Sequence, residues 1–238
     1  LGEQKTVFRG GFGIAYDVLF FNILTTTASN YPRVIRYDLN QPQTIDLFPA
    51  LPPKQSVLPP FSPSTAFANT PSDIQNPTTN FWSFSVQRQL GKGSLFEVGY
   101  SGNRSYHLLR QGESNPAVLT PEQAQITMAG GSIPSVALRR LNPSWGSRAT
   151  VESTALSRYH AIFFRFDKEI AGGLLLGGNY AWSENFSDND EALAIGDIVN
   201  SSPQIPQDYR NYHSEWSRSV FDRPQRIVIR YLYEFPIP

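Results

Sequence analysis

The 238-residue chain contains no cysteine. That excludes a disulfide framework and any cysteine-based metal site, and it is compatible with an exported protein. The chain also lacks net charge, with 20 Lys and Arg against 20 Asp and Glu. Nothing in that balance calls for a nucleic acid or an anionic surface as partner. No apolar run approaches the roughly 18 residues of a membrane helix, and nothing at Leu1 reads as a signal peptide. Heptads are missing, and no 3.6-residue pattern is sustained beyond about two turns. If this chain meets a membrane, it does so through strands.

What it has in quantity is turn formers and rings: 19 Pro, 17 Gly and 13% aromatic residues. The clearest pattern is residues 80–104, NFWSFSVQRQLGKGSLFEVGYSGNR. Trp82, Phe84 and Val86 alternate with serine and glutamine; Phe96, Val98 and Tyr100 alternate with Glu97, Gly99 and Ser101. Between them Gly91-Lys92-Gly93-Ser94 suits a tight hairpin, because glycine accepts positive φ. Successive strand side chains point to opposite faces, so one face is apolar and the other polar and small. SRYHAIFFRFDKEI, Ala171-Gly172-Gly173 and LLLGGNYAWSEN repeat the plan. TVFRGGFGIAYD supplies an earlier strand, with Phe8, Phe12, Ile14 and Tyr16 on one face, and RIVIRYLYE a last one. Gly10, Gly11 and Gly13 lie inside a strand pattern with no helix after them, so they mark close backbone approach rather than a dinucleotide loop.

Six main strands follow, near residues 6–20, 80–90, 94–104, 157–170, 173–185 and 223–235. The connections 22–79, 105–156 and 186–222 are long. The first is rich in proline (FPALPPKQSVLPPFSPST), which excludes a central strand and a helix interior alike. The second contains Thr120-Pro121-Glu122-Gln123, which predicts a short helix over 121–128 with Thr120 as N-cap, and one extra strand is expected near 148–155. The connections run long, short, long, short, long. In an antiparallel up-and-down meander every tight turn then lies at one end and every long loop at the other. Apolar outside, polar inside, with aromatic strand ends, this all-β pattern predicts part of a transmembrane β-barrel. A soluble sandwich explains the alternation too, and would use loop aromatics such as Trp145 and Trp216 for a carbohydrate.

Residue roles follow from the faces. Trp82, Tyr100, Tyr159, Tyr180, Trp182, Tyr231 and Tyr233 suit a membrane girdle, since Tyr and Trp gather at strand ends. Arg9, Asp17, Glu97, Arg165, Asp167, Arg230 and Glu234 are expected to face the lumen, in structural roles. Asp188, Asp190 and Glu191 could offer Ca²⁺ carboxylate oxygens, but without EF-hand spacing. His107, His160 and His213 lack metal-ligand spacing, and there is no GxSxG nucleophile. Neither an enzyme nor a cofactor is expected.

KTVFRGGFGIAYD, "VGYSGNR" with Leu108, "YHA" with Phe164, "YAWS" and "FDRPQR" together resemble consecutive pieces of TonB-dependent outer-membrane receptors. The nearest subgroup is the Oar-like one, which carries a carboxypeptidase-regulatory-like domain ahead of its plug. The resemblance spans roughly half the chain. It implies a bacterial outer-membrane location, lipid contact, and a parent protein that supplies a plug domain and engages TonB for uptake. Such receptors have a signal peptide, a TonB box, a plug and 22 strands. The chain is therefore expected to be an internal piece of a barrel. The alternative expectation is an extracellular structural or adhesive β-protein that self-associates into multimers or filaments through its strand edges.

Overall fold

Alternation becomes sheet. The computed structural model describes residues 5–20, 27–28, 30, 67–170, 172–190 and 206–235. They form eight strands: β1 (Thr6–Tyr16), β2 (Phe67–Asn69), β3 (Thr78–Gln89), β4 (Ser94–Glu113), β5 (Arg148–Ile170), β6 (Leu174–Ser187), β7 (Ser217–Arg218) and β8 (Gln225–Tyr233). The order across the sheet is β1-β3-β4-β5-β6, with β7 and β8 both paired to β6. The pairs β1–β3, β3–β4, β5–β6 and β6–β8 are antiparallel, and the short β2 runs parallel to β5. The fold is an all-β antiparallel meander.

The chain divides into two compact units, one of Leu1–Leu19, Asp73–Gln111 and Glu152–Pro238, the other of Phe20–Ser72 and Gly112–Val151. In the first, Gly91, Gly93, Gly172 and Gly173 all take positive φ, as the two tight turns require. Glu169 N donates to Gly93 O at 2.7 Å and Glu234 N to Gly173 O at 3.0 Å, so the turns abut along one end of the sheet. The register then assigns the faces. Phe8, Val86 and Val98 fall in one row; Phe164, Tyr180 and Ile227 fall in another, all on the same side. The opposite side carries Arg9, Ser85, Gly99, Arg165 and Asn179.

Glycines on that polar side make room for rings. A Cβ at Gly99 would lie 2.2 Å from Phe163 Cζ, and one at Gly13 2.4 Å from Phe81 Cζ. Gly99→Ala is expected to destabilise the chain by about 1–3 kcal/mol through overpacking. Urea unfolding of Gly99→Ala, Phe163→Leu and the double variant checks it. The double should cost less than the two singles together, and strict additivity would refute the contact.

The second unit is built around Asn115, which is buried. Its Nδ2 donates to the carbonyls of Asn142, Trp145 and Gly146, and its Oδ1 accepts from Asn142 N. Glu113 accepts from the backbone N–H of Asn115 and Arg148 and from the Ser147 hydroxyl. The helix α1 (Pro121–Met128) forms where the capping residues predict it, with Thr120 and Gln123 bonding each other's backbone N–H.

Three expectations need correction. β1 ends at Tyr16 rather than near 20, where Asp17 N donates to Pro77 O. The connection 105–156 is not loop throughout: β4 runs to Glu113, and β5 starts at Arg148, with no separate strand near 148–155. Among the described residues the strands make a single sheet rather than the two of a sandwich, and the buried apolar residues are only Leu109, Val151, Ala155 and Ala161. The aromatic rows lie at both ends of the sheet. β8 runs toward the tight turns, so Tyr233 and Tyr231 sit beside Leu174 and Leu176 at the turn end. Most of the proline-rich 22–79 connection and the 236–238 tail lie outside the described residues.

Candidate functional site

The most extensive feature is the apolar side of the sheet in the first unit. Phe8, Phe12, Phe84, Phe164, Phe166, Ile227, Ile229 and Tyr231 all stand exposed on it, Ile229 at 78%. Burying one such side chain is worth about 1.5–3 kcal/mol. Together they are of the same order as the roughly 5–15 kcal/mol that stabilises a typical domain. That face meets something other than water.

Its polar markers sit at two levels. At the turn end are Tyr231 and Tyr233, the latter edge-on to Phe235 at 4.9 Å, together with Lys168, whose Nζ reaches back to Ser94 Oγ at 2.9 Å. Toward the other end, Trp82 and Tyr100 gather round His160. The Tyr100 hydroxyl and His160 Nδ1 hydrogen-bond at 2.6 Å, and the Trp82 ring lies 6.2 Å from the imidazole. Trp182 stands in the row of Ile162. From Tyr233, opposite Leu174, to Trp182 is about 27 Å along the strand at about 3.4 Å per residue. A tilt of about 40° brings this to about 21 Å along a membrane normal, close to the roughly 25 Å apolar band of a transmembrane barrel. Tyr180 lies between the two levels, stacked on Phe164. Tyr159, by its register with Asn185, lies on the polar side.

The polar side carries charge in pairs. Asp167, Gly177 and Arg230 share one row across three strands. Because Gly177 has no side chain, Arg230 reaches over it to Asp167, which Arg165 Nε also contacts at 2.7 Å. A Cβ at Gly177 would lie 2.6 Å from both Asp167 Oδ1 and Arg230 Nε. Arg9 donates to Gln87 across β1 and β3, and Glu97 sits opposite Gln87 in the register. Asp17 takes Val18 N at 2.8 Å just past the end of β1, and Glu234 follows β8. These residues occupy one face but do not converge on a centre.

Beyond the paired ladder, β4 turns at His107, a non-glycine residue at φ 56°. Pairing with β3 stops one residue earlier, at Tyr106. Three residues on, Arg110 is almost wholly buried. Its Nη2 lies 2.6 Å from Asp188 Oδ1, and its guanidinium stands 4.2 Å from the Tyr212 ring centre. Asp188 Oδ1 also accepts from Leu156 N at 2.8 Å. Sequence reasoning missed this pair, because Arg110 carries no periodic signal and its partner is 78 positions away. Asp188 thus meets a cation, Asp190 Oδ2 accepts from Val220 N, and Glu191 lies outside the described residues. Among the described residues no group of three or more carboxylates or histidines is placed to hold a metal. His107, His160 and His213 are in separate surroundings.

Burial raises the Tyr212 phenol above its ordinary value, aided by the nearby Glu152 carboxylate and opposed by Arg110. A raised folded-state value means that folding favours the neutral phenol. That stability is complete below about pH 10, the ordinary tyrosine value, and fades as pH climbs above it. Tyr212→Phe is expected to flatten the loss of stability above pH 10, measured by urea midpoints across that range.

Trp216 stacks on Phe186, and Arg148 stands 4.5 Å from the Trp145 ring centre, so both tryptophans are engaged by the protein itself. No helix among the described residues is long and apolar enough to cross a membrane.

A family model described as an outer membrane beta barrel domain matches residues 1–238. Curated proteins give no match. Among solved structures, the outer membrane transporter YddB from Escherichia coli aligns with 8% identity and a TM-score of 0.45, over 79% of this chain and 19% of YddB. The chain thus spans about a fifth of that protein's length.

Proposed function

The chain belongs to the outer membrane beta barrel domain family, and from that premise we propose that it forms part of the barrel wall of a TonB-dependent receptor of the Oar-like kind. The parent protein would take up a substrate not named by any residue here. The observation that supports this reading is the two-faced meander, with its tight turns at one end and its two polar-aromatic levels about 21 Å apart on the apolar face. In the reading, Arg9, Glu97, Arg165, Asp167 and Arg230 face the lumen, and Trp82, Tyr100, Trp182, Tyr231 and Tyr233 meet lipid headgroups. Among the described residues β1 pairs only with β3 and β8 only with β6. Backbone groups in lipid must be hydrogen-bonded, so both edges need further strands. The remaining barrel strands of the parent would supply them.

These 238 residues hold no cysteine, and any cysteine elsewhere in the full-length protein is first replaced by serine, so each added thiol is the single labelling site. In cells expressing the full-length protein, Lys92→Cys in a tight turn and Asn142→Cys in a long connection are exposed to a membrane-impermeant maleimide. Labelling of Asn142→Cys on intact cells, and of Lys92→Cys only after the outer membrane is permeabilised, is the expected result. Equal labelling of both on intact cells would sink the spanning topology. Recovery of TonB with the full-length protein from solubilised membranes tests the finer reading; its failure would leave a barrel without TonB dependence.

A further inference from the structure

The apolar face does not end at Trp182. The next rows toward the long connections are His160 with Glu184, then Arg158, Phe186 and Arg218 side by side on β5, β6 and β7. Both guanidiniums flank the same ring, at 5.5 and 5.4 Å from the Phe186 centre, and Trp216 stacks on that ring at 6.2 Å. Below them a cavity of about 230 Å³ opens between Tyr100, Ile162 and Trp182, with His160, Glu184 and Arg218 at its polar edge.

The two cations differ in how far they are already satisfied. Arg218 holds Asp222 at 2.8 Å. Arg158 is 42% exposed, the Glu184 carboxylate lies 3.9 Å from its Nη2, and its Nε, itself buried, has no hydrogen-bond partner among the described residues. A guanidinium has five donors in a planar fork, a geometry that suits a phosphate. The row lies four residues beyond Trp182, about 14 Å along the strand and about 10 Å along the normal. That is headgroup depth, just outside the hydrocarbon.

We infer that this rim docks a lipid bearing a terminal phosphate, its acyl chain in the groove beside Trp182 and its phosphate between Arg158 and Arg218. The inference rests on the outer-membrane placement of the apolar face and not on TonB dependence.

The test uses the full-length protein, delipidated and placed in phosphatidylcholine nanodiscs with or without phosphatidic acid, with retained lipid counted by native mass spectrometry. Wild type is expected to retain phosphatidic acid in preference to phosphatidylcholine. The double variant Arg158→Gln with Arg218→Gln should lower that retention about tenfold. Because Arg218 also holds Asp222, Trp182→Ala serves as a second variant that disturbs no hydrogen bond and should lower retention several-fold. Lys168→Gln, at the turn end of the same face, should change nothing. Equal retention of the two lipids by wild type, or unchanged retention in Trp182→Ala and the arginine variant, would overturn the inference. So would full displacement by inorganic phosphate, which would mark a free-anion site. Failure of the topology labelling above would remove the membrane itself, and is read separately.

Discussion

Replacing Arg110 with alanine is expected to destabilise the folded chain by about 3–5 kcal/mol. The side chains of Arg110 and Asp188 are 2% and 6% exposed, so water cannot take over the role of either partner. Truncating the arginine leaves an uncompensated buried carboxylate and also removes the cation over the Tyr212 ring. The same carboxylate holds Leu156 N, and Asp188 N donates to Leu156 O, so the loss spreads into the β5–β6 ladder. Urea unfolding of Arg110→Ala, Arg110→Met, Asp188→Leu and the pair Arg110→Met with Asp188→Leu separates two accounts, the last three forming the cycle. If the ion pair matters through desolvation, the apolar pair should be far closer to wild type than either single variant. If the double variant is as unstable as the sum of the singles, the two residues act independently and the pair has been misjudged.

That pair also shows where the sequence stops being legible. Residues 94–104 and 157–170 announced themselves because water or protein lies on one side and an apolar medium on the other, which imposes a period of two. Past His107 and before Ser157 that contrast fades. Leu108, Leu109 and Arg110 follow one another without alternation, and the burial of Val151 and Ala155 lies among polar neighbours. Contacts there depend on residues distant in sequence, such as Asn189, whose Nδ2 donates to Leu109 O. The positive φ of His107 has no glycine to signal it. The tight turns were readable because Gly91, Gly93, Gly172 and Gly173 are what positive φ demands. The helix over 121–128 was readable because a capping box is a local device.

Strand direction sets where the tyrosines lie. Tyr231 and Tyr233 share with Trp82 a place near the end of a strand. β8 runs antiparallel to β6, which leaves a tight turn at Leu174, so the C-terminal end of β8 lies with the turns. Aromatic side chains therefore stand at both boundaries of the apolar band, which is the arrangement a bilayer selects.

Ile229→Arg is the substitution that separates lipid from water most sharply. Ile229 stands on the apolar face opposite Gly178, four residues from both Gln225 and Tyr233, near the middle of the band. It is 78% exposed, so in a water-soluble protein an arginine there would alter stability within about 0.5 kcal/mol. Facing the bilayer midplane, the same arginine is expected to destabilise by about 2–4 kcal/mol. Val228→Arg, one position away on the polar side beside Asn179, provides the internal control and should change little. Reversible urea unfolding of the full-length protein in phospholipid vesicles measures both. A large loss for Ile229→Arg with a small one for Val228→Arg fixes which side meets lipid. The reverse order would put the apolar face inward, and near-neutral values for both would mean that no membrane covers it. The face of a single residue pair thus decides whether this sheet is a membrane wall.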